Sequence, residues 1–459
     1  MNYRWQRIKT TQNKKSKKMK SKICLLGTLF ILFISCKKEK HIEVTTEEYH
    51  ASIENVTEIM IHDIFSPPVA SRIFVYPNIA AFEIIAQNSK TYTSLQNQIK
   101  GLDSIPVLDP KSGVNQPLAA LIAHMEISKQ LVFSEELVET FRDSLYKKWE
   151  DENSDEFEVS KEYGLKVAER IKKWMGKDNY KQTRTLSKFS VYADQPGRWQ
   201  PTPPAYMDAI EPHWKEIRTL VLDSASQFKP VPPAPFSLEK NSPFFKQVQE
   251  VYDISLEMKK KGDSSDEIKM AQFWDCNPYV TVSQGHMMFA KKKITPGAHW
   301  MGITKIACKK SKSDFNKTVF AYTKTSIGIF EAFISCWDEK FRSNVVRPET
   351  VINQNIDEKW KPLLQTPPFP EYTSGHSVVS TSSAVILTSV FGDNFSYTDN
   401  SELPYGLPNR DYKSFMEASK EAAMSRFYGG IHYRAAIENG IIQGKKIGDL
   451  VVTKLKMNK

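Results

Sequence analysis

Apolar residues recur three and four positions apart along most of this 459-residue chain, and this spacing restricts its fold more than any other feature. Such spacing places apolar side chains on one face of a helix. It predicts helices over residues 54–65, 69–87, 116–128, 135–149, 161–175, 244–260, 266–273, 300–307, 313–336, 377–391, 412–427 and 431–455. Few segments alternate apolar and polar residues with period two, so a sheet-based fold is not expected. The sequence therefore predicts an all-α protein.

Two proline-rich stretches, 196–204 and 228–233, interrupt the helical pattern. Proline fixes φ and removes a backbone donor, so these stretches indicate an extended connection between helical parts. We therefore predict an N-terminal helical region over 47–195, a proline-rich connection over 196–236, and a C-terminal helical catalytic region over 237–459.

The first 35 residues have the character of an export leader. A basic stretch ends at Lys22, and a 13-residue apolar run follows over 23–35. That length is typical of a signal peptide and short for a bilayer span. Ser35 directly before Cys36 resembles a bacterial lipoprotein signal, whose cysteine is lipidated; an ordinary secretory signal or a plain membrane anchor is the alternative. We expect an exported lipoprotein, tethered at the periplasmic or outer cell-envelope face through Cys36 and a charged tether over 37–46, with no later membrane-crossing segment.

The net charge of +10 belongs mostly to this leader. Nine of the 63 Lys and Arg residues fall within residues 1–35, and without them 54 basic residues face 53 acidic ones. Overall charge therefore gives no support to nucleic-acid binding, and the lipid anchor is the only membrane contact expected.

Cysteines and histidines are scattered through the rest of the chain. Cys276, Cys308 and Cys336 are odd in number and widely spaced, which argues against a disulfide framework or a zinc site. Buried thiols are expected, with one bridge and one spare thiol as the alternative. His286 and His299, thirteen residues apart, fit no standard metal spacing, so both are interpreted as structural or pocket-lining.

Two cations form the first of three short motifs in the last 120 residues. Lys340 and Arg347 are seven residues apart, and Pro348 follows. Seven residues make two helical turns, so both side chains are expected on one face of a helix. Proline disfavours helical geometry in the residue before it, so this helix is expected to end at Arg347.

The second motif runs from Thr373 through Ser374 and Gly375 to His376, directly before the predicted helix 377–391. Ser374 is expected to cap that helix, and Gly375 allows close backbone approach. Free amides and the positive end of the dipole favour an anion at a helix start. His376 lies there as a possible acid or base.

The third motif joins Arg426, at the end of one helical run, to His432, which is predicted to open the next helix after the Gly429-Gly430 break. Three cations, a helix N-terminus and two histidines suit a tetrahedral oxyanion. One histidine can attack or coordinate the central atom while the other handles protons.

Together these motifs resemble the signature of the superfamily that joins type 2 phosphatidic acid phosphatases, bacterial acid phosphatases and vanadium-dependent haloperoxidases. The resemblance covers about 100 residues and implies an all-helical bundle. Ala436 stands where the family has an aspartate that orients the histidine, so His432 is expected to gain no nearby negative charge. Asn439, on the same helical face as His432, is the candidate replacement.

Within this superfamily the sequence favours a haloperoxidase. The resemblance then implies a vanadate cofactor, with hydrogen peroxide and a halide or small organic acceptor as substrates. Its implied binding residues are Lys340, Arg347, Ser374, Gly375 and Arg426. His432 would bond vanadium and His376 would move protons. Roughly 200 residues of helix upstream of the motifs, and no multiple membrane spans, favour this function.

Two other functions stay open from the sequence. An acid phosphatase would hold phosphate in the same site and hydrolyse phosphomonoesters through a phosphohistidine at His432, with His376 protonating the leaving group. A tethered oxyanion-binding module without catalysis is the third candidate.

Overall fold

The computed structural model describes residues 40–192, 194–278, 281–284, 287–290 and 293–459. In chain order the helices are α1 (Thr46–His62), α2 (Pro67–Ala86), α3 (Gln116–Lys129), α4 (Glu135–Glu152), α5 (Ser154–Met175), α6 (Tyr180–Thr183), α7 (Pro243–Lys261), α8 (Asp266–Phe273), α9 (Pro296–Lys310), α10 (Phe315–Ser343), α11 (Pro348–Asn355), α12 (Gly375–Phe391), α13 (Phe415–Tyr428) and α14 (Arg434–Lys454). The all-α prediction is confirmed. The predicted leader and the lipidation site at Cys36 lie outside the described residues.

Four short strands accompany the helices in the described part of the chain. Strand β1 (Thr281–Gln284) pairs antiparallel with β2 (Met287–Ala290), and β3 (Tyr397–Asp399) pairs antiparallel with β4 (Arg410–Tyr412). Segments of three or four residues are too short to show a period of two, so the sequence did not predict them.

Helix α10 forms the centre of the bundle. Its residues are buried along most of its length, and it packs against α2, α9, α12 and α14. Helix α12 in turn packs against α13 and α14. The helices that carry the three motifs are therefore neighbours, and the motifs lie at their ends.

Residues 40–459 form one compact unit. The predicted N-terminal region, proline-rich connection and C-terminal region all belong to it, because α2 packs on α10 across the predicted boundary. The connection is also fixed to the C-terminal region. The Trp199 backbone N–H donates to the Asn344 carbonyl at 3.1 Å, and the Tyr372 hydroxyl donates to the Val231 carbonyl at 2.6 Å.

Helix α2 corrects one expectation. Among the described helices it is long and apolar enough to cross a membrane by length and composition, although no such segment was expected after the leader. All of its residues are buried within the helical body, which explains its high content of apolar residues. Cys276, Cys308 and Cys336 are free and buried, as expected.

The first motif is built differently from its prediction. Helix α10 ends at Ser343, and Asn344 follows in the left-handed region with φ 49°. Pro348 then begins α11, and Arg347 is the N-cap of that helix. Proline fits the first helical turn because its missing N–H would have no intrahelical partner there. The expectation that Lys340 and Arg347 share one helical face is therefore wrong, and a sharp turn separates them.

The contact between α12 and α14 depends on glycine. A Cβ atom at Gly444 would lie 2.3 Å from the Val378 carbonyl oxygen, so any side chain there must push the two helices apart. We expect Gly444→Ala to lower the free energy of unfolding by about 1–3 kcal/mol, as measured by denaturant titration. Ile442→Ala, exposed on the same helix, should change it far less. Equal stabilities of the two variants would contradict this close contact.

Candidate active site

A cavity at the ends of these helices brings the second and third motifs together. Gly375, His376, Arg426 and His432 all contribute to its lining. The apolar part of the wall comes from three aromatic residues and three prolines: Phe333, Trp337, Phe369, Pro67, Pro296 and Pro367. The cavity therefore combines polar groups able to meet an anion with an apolar surround.

The start of α12 has the predicted capping geometry. Ser374 is the N-cap, and its hydroxyl accepts the Ser377 backbone N–H at 3.3 Å. The Ser374 backbone N–H donates to the Ala436 carbonyl at 3.1 Å, which ties this helix start to α14. The first turn contains no acidic residue, so its dipole is available to an anion beside Gly375.

Lys340 lies under this helix start and is fully buried. Its ammonium group donates to the carbonyls of Pro370, Glu371 and Thr373 at 3.1, 3.1 and 2.5 Å. Burial lowers the pKa of Lys340 to about 8, and the nearby Arg347 contributes in the same direction. All three ammonium hydrogens have carbonyl acceptors, so Lys340 offers the cavity positive charge without a free donor.

Arg347 is likewise buried, but one of its nitrogens is available. Nε donates to the Phe369 carbonyl at 2.9 Å, and Nη1 donates to the Ile431 carbonyl at 2.8 Å. Nη1 also lies 3.2 Å from His432 Nε2. Nη2 is buried without a hydrogen-bond partner among the described residues. A buried N–H without an acceptor destabilises the folded state, so Nη2 is expected to donate to a bound ligand.

These contacts define the tautomer of His432. Arg347 Nη1 can only donate, so His432 Nε2 accepts and carries a lone pair. The proton then lies on Nδ1, which donates to Glu371 Oε1 at 2.7 Å. Burial and the cations Arg347, Lys340 and Arg426 hold the pKa of His432 well below its usual value. The imidazole is therefore neutral and presents an unprotonated nitrogen.

Glu371 is a contact of His432 that the sequence did not predict. It also accepts the Tyr433 backbone N–H at 3.0 Å, so it fixes both the ring and the chain beside it. Burial raises the pKa of Glu371 to about 7, and Arg347 and Lys340 oppose that rise. The only feature of the sequence that could have pointed to Glu371 is its position two residues before Thr373. No residue spacing relates Glu371 to His432.

The expectation that His432 lacks a carboxylate partner is therefore wrong. Glu371 binds Nδ1 from another segment, which removes the need for an aspartate at Ala436. The Asn439 amide donates to the Ala435 carbonyl at 2.9 Å and does not replace that carboxylate. Ala436 itself is fully buried in an apolar cluster. An aspartate there would bury a charge and cost stability rather than tune His432.

Arg426 and His376 meet at one backbone carbonyl. Arg426 Nη1 donates to the Trp274 carbonyl at 3.1 Å and lies 3.8 Å from Asp275 Oδ1. The His376 ring hydrogen-bonds the same Trp274 backbone, while its Nε2 is buried without a partner among the described residues. Burial, Arg426 and His299 hold the pKa of His376 well below its usual value.

The third motif also differs slightly from its prediction. Helix α13 ends at Tyr428, Gly430 has φ +75°, and α14 begins at Arg434, so His432 lies in the intervening turn rather than opening a helix. A side chain at Gly430 would be strained in this left-handed conformation and would approach Trp360 and Pro362. The Gly-Gly turn thus brings His432 beside Arg347.

The chemistry of this donor set fits a tetrahedral oxyanion. Arg347 Nη2 and His376 Nε2 are orphaned polar atoms. The lone pair of His432 Nε2 accepts from Arg347 Nη1 in the bare chain, and it would become available to a central atom once Arg347 donates to the oxyanion instead. The cations supply charge, and the start of α12 supplies amide donors beside Gly375.

Comparisons with known proteins identify the family of this chain. A family profile described as the VCPO second helical-bundle domain matches residues 320–458. The crystal structure of "the first bacterial vanadium dependant iodoperoxidase" shares 63% sequence identity, with a TM-score of 0.88, over 91% of this chain and 99% of that chain. No curated protein sequence matches the chain.

Two more distant structures share the fold. Holo-type and apo-type bacterial vanadium-dependent chloroperoxidases are each 17% identical, with TM-scores of 0.62 and 0.63. Each comparison covers 85% of this chain, and 93% and 94% of the respective neighbours. The family profile and the 63% identical structure place the chain in the vanadium haloperoxidase and type 2 phosphatidic acid phosphatase superfamily. At 63% identity over nearly the whole neighbour, the chain belongs to the vanadium-dependent haloperoxidase family, whose cofactor is vanadate.

Proposed function

We propose that this vanadate-dependent haloperoxidase oxidises iodide with hydrogen peroxide, and that His432 Nε2 is the atom that bonds vanadium. The observation that carries the assignment of His432 is the chain of contacts from Arg347 Nη1 through His432 to Glu371. It keeps the imidazole neutral, with an Nε2 lone pair that accepts from Arg347 Nη1 in the bare chain and would bond vanadium when Arg347 donates to the vanadate oxygens instead. Bound vanadate supplies the Lewis acidity that activates hydrogen peroxide toward a halide.

The remaining polar groups would hold the vanadate oxygens. Arg347 Nη2 is an unused donor, and Arg426 adds a second guanidinium at the cavity wall. Ser374 contributes a hydroxyl, and Gly375 lies at the start of α12, where the helix dipole favours an anion. Lys340 contributes charge through its buried ammonium, because three carbonyls already accept its hydrogens.

His376 is the group best placed to move protons. Oxidation of a halide X⁻ by hydrogen peroxide to HOX and water consumes one proton. His376 Nε2 lacks a partner among the described residues and faces the cavity, so it can take up and return that proton. An anion among the cations would raise the pKa of His376 from its depressed value and favour the protonated ring.

Two observations support iodide as the halide. The 63% identical relative is described as an iodoperoxidase. The aromatic residues Phe333, Trp337 and Phe369 give the cavity an apolar wall suited to a large, weakly hydrated anion. We expect kcat/KM to be highest for iodide and lower for bromide and chloride, in assays with orthovanadate and hydrogen peroxide. Higher kcat/KM for bromide, or phosphomonoester hydrolysis in place of halide oxidation, would overturn the proposal.

The two arginines should contribute measurably to vanadate affinity. Each would make charge-assisted hydrogen bonds to the anion, so Arg347→Ala or Arg426→Ala is expected to weaken binding by about 1.5–3 kcal/mol. Vanadate titration of the purified variants measures this directly. Arg142→Ala, on α4 and paired there with Glu126, is the matched control. Wild-type affinity in either cavity variant would exclude that arginine from the site.

We also propose that the chain is exported and anchored through a lipid on Cys36. The basic leader, the apolar run over 23–35 and Ser35 before the cysteine support this proposal. Wild-type protein is expected in the membrane fraction, and Cys36→Ser should release it or leave it unprocessed. Cys308→Ser, a buried thiol in the helical body, controls for loss of a cysteine. Soluble wild-type protein with residues 1–35 still attached would contradict the proposal.

A further inference from the structure

A second cluster of ligand-type side chains adjoins the cavity, and one of its members, Cys276, contributes to the cavity lining without belonging to the vanadate-binding set. Cys276 Sγ, His299 Nδ1 and a Glu402 carboxylate oxygen lie within 4.8 Å of one another, and all three residues are buried. They come from three separate segments: the turn after α8, helix α9, and the loop between β3 and β4. No step assigned above uses them.

The three atoms form a triangle of the right size for one ion. His299 Nδ1 lies 3.5 Å from Cys276 Sγ and 3.1 Å from Glu402 Oε1, and Sγ lies 3.9 Å from the same oxygen. A tetrahedral zinc ion binds sulfur at about 2.3 Å, and nitrogen and oxygen at about 2.0–2.2 Å, which requires ligand separations of roughly 3.3–3.6 Å. The edge between His299 and Cys276 lies within that range, and the other two edges lie a few tenths of an ångström outside it, so small side-chain adjustments would suffice.

The histidine also has the outer partner that metal-bound histidines usually have. Asp399 Oδ2 lies 2.9 Å from His299 Nε2, so the Nε2–H donates to this carboxylate and leaves Nδ1 for a ligand. Asp399 is itself held by the Ser401 backbone N–H at 3.0 Å and the Ser401 hydroxyl at 2.6 Å. The Trp274 indole stacks on the imidazole, with ring centroids 4.2 Å apart.

We propose that Cys276, His299 and Glu402 bind one zinc ion. Thiolate, imidazole and carboxylate together match the ligand preference of zinc, and three protein ligands leave a fourth position for water. The ion would join the turn after α8 to α9 and to the β3–β4 loop. That turn includes Trp274 and Asp275, which contact Arg426, so the zinc would brace the wall of the vanadate site.

Protons compete with the metal for these ligands. Burial lowers the pKa of His299, but Asp399 and Glu402 together raise it well above its usual value. Burial raises the pKa of the Cys276 thiol. Zinc must displace both protons, so its occupancy is expected to fall in acid solution. The alternative to zinc is a protonated His299 that is ion-paired with Asp399 and Glu402.

Metal analysis of full-length, untagged protein purified without chelators tests the proposal. We expect about one zinc per chain, lost in Cys276→Ser and Glu402→Gln but retained in Cys308→Ser, whose thiol is buried elsewhere. No zinc in the wild type after incubation with zinc salts, or full zinc in Cys276→Ser, would overturn it. Chelators also bind vanadate, so metal content rather than activity is the readout.

X-ray absorption on the wild-type protein needs no variant and covers the case in which Cys276→Ser does not fold. One sulfur scatterer at about 2.3 Å from zinc, with nitrogen or oxygen at about 2.0 Å, is expected. A first shell without sulfur would exclude Cys276 as a ligand and overturn the proposal. Both measurements are independent of halide oxidation, so the absence of zinc would leave the proposed haloperoxidase function unaffected.

Discussion

His432→Ala is expected to abolish halide oxidation and to weaken vanadate binding, whereas His376→Ala should act mainly on turnover. Removing His432 eliminates the proposed bond to vanadium and leaves Arg347 and Glu371 facing an empty space. Removing His376 eliminates a proton carrier beside an otherwise intact set of donors. Vanadate affinity in His376→Ala should stay within about tenfold of wild type, while turnover falls about 10²–10⁴-fold, the usual size of a general acid–base contribution.

Vanadate titration and steady-state kinetics on both variants separate these two roles. His213→Ala is a matched control because His213 lies outside the cavity lining and its ring contacts the Ser187 carbonyl. Equal losses of vanadate affinity in the two cavity variants would show that the roles of His376 and His432 are assigned wrongly.

Glu371→Gln should lower turnover by about 10²–10⁴-fold, with a weaker affinity for vanadate. Glu371 accepts the Nδ1 proton of His432 and thereby keeps Nε2 unprotonated. A glutamine amide can donate to Nδ1 instead, which favours the tautomer with its proton on Nε2. Loss of an outer partner of a metal ligand costs 10–100-fold, and a wrong tautomer costs up to about 10⁴-fold.

The pH profile gives this prediction a second readout. Burial raises the pKa of Glu371 to about 7. As the pH falls through that value, the carboxylate becomes protonated and its hydrogen bond to His432 Nδ1 is weakened. Activity should decline on the acid side, and Glu371→Gln should remove that dependence. Glu83→Gln is the matched control, because burial also raises the pKa of Glu83 to about 7 at a site far along the chain. An unchanged acid limb in Glu371→Gln would exclude Glu371 as its cause.

The sequence predicted the local features of this molecule well. Helical spacing identified most of the helices, and Ser374 was expected to cap the helix that follows it, because a cap involves residues three positions apart. Lys340 and Arg347 were predicted to meet at one site, and Arg347 does lie close enough to lower the pKa of Lys340. That prediction relied on a continuous helix, which in fact ends at Ser343. Pro348 begins a new helix there, and a proline is compatible with either a helix end or a helix start.

The sequence could not predict contacts between segments that are far apart in the chain. Glu371 and His432 are 61 positions apart, and Cys276 and Glu402 are 126 apart. No periodicity relates such residues, and only the packing of α9, α10, α12 and α14 brings them together. His299 was expected to be structural or pocket-lining, and its carboxylate partners follow from the fold rather than from any spacing.

The most direct test of vanadate-dependent iodide oxidation at His432 is a titration of vanadate-free protein with orthovanadate. Iodide oxidation with hydrogen peroxide is measured at each step. Activity should rise in proportion to added vanadate and saturate at about one vanadate per chain. Phosphate should shift the titration to higher vanadate concentrations, because both tetrahedral oxyanions would meet the same donors. Iodide oxidation that is independent of added vanadate, or that saturates equally in His432→Ala protein, would contradict a requirement for vanadate bound at His432.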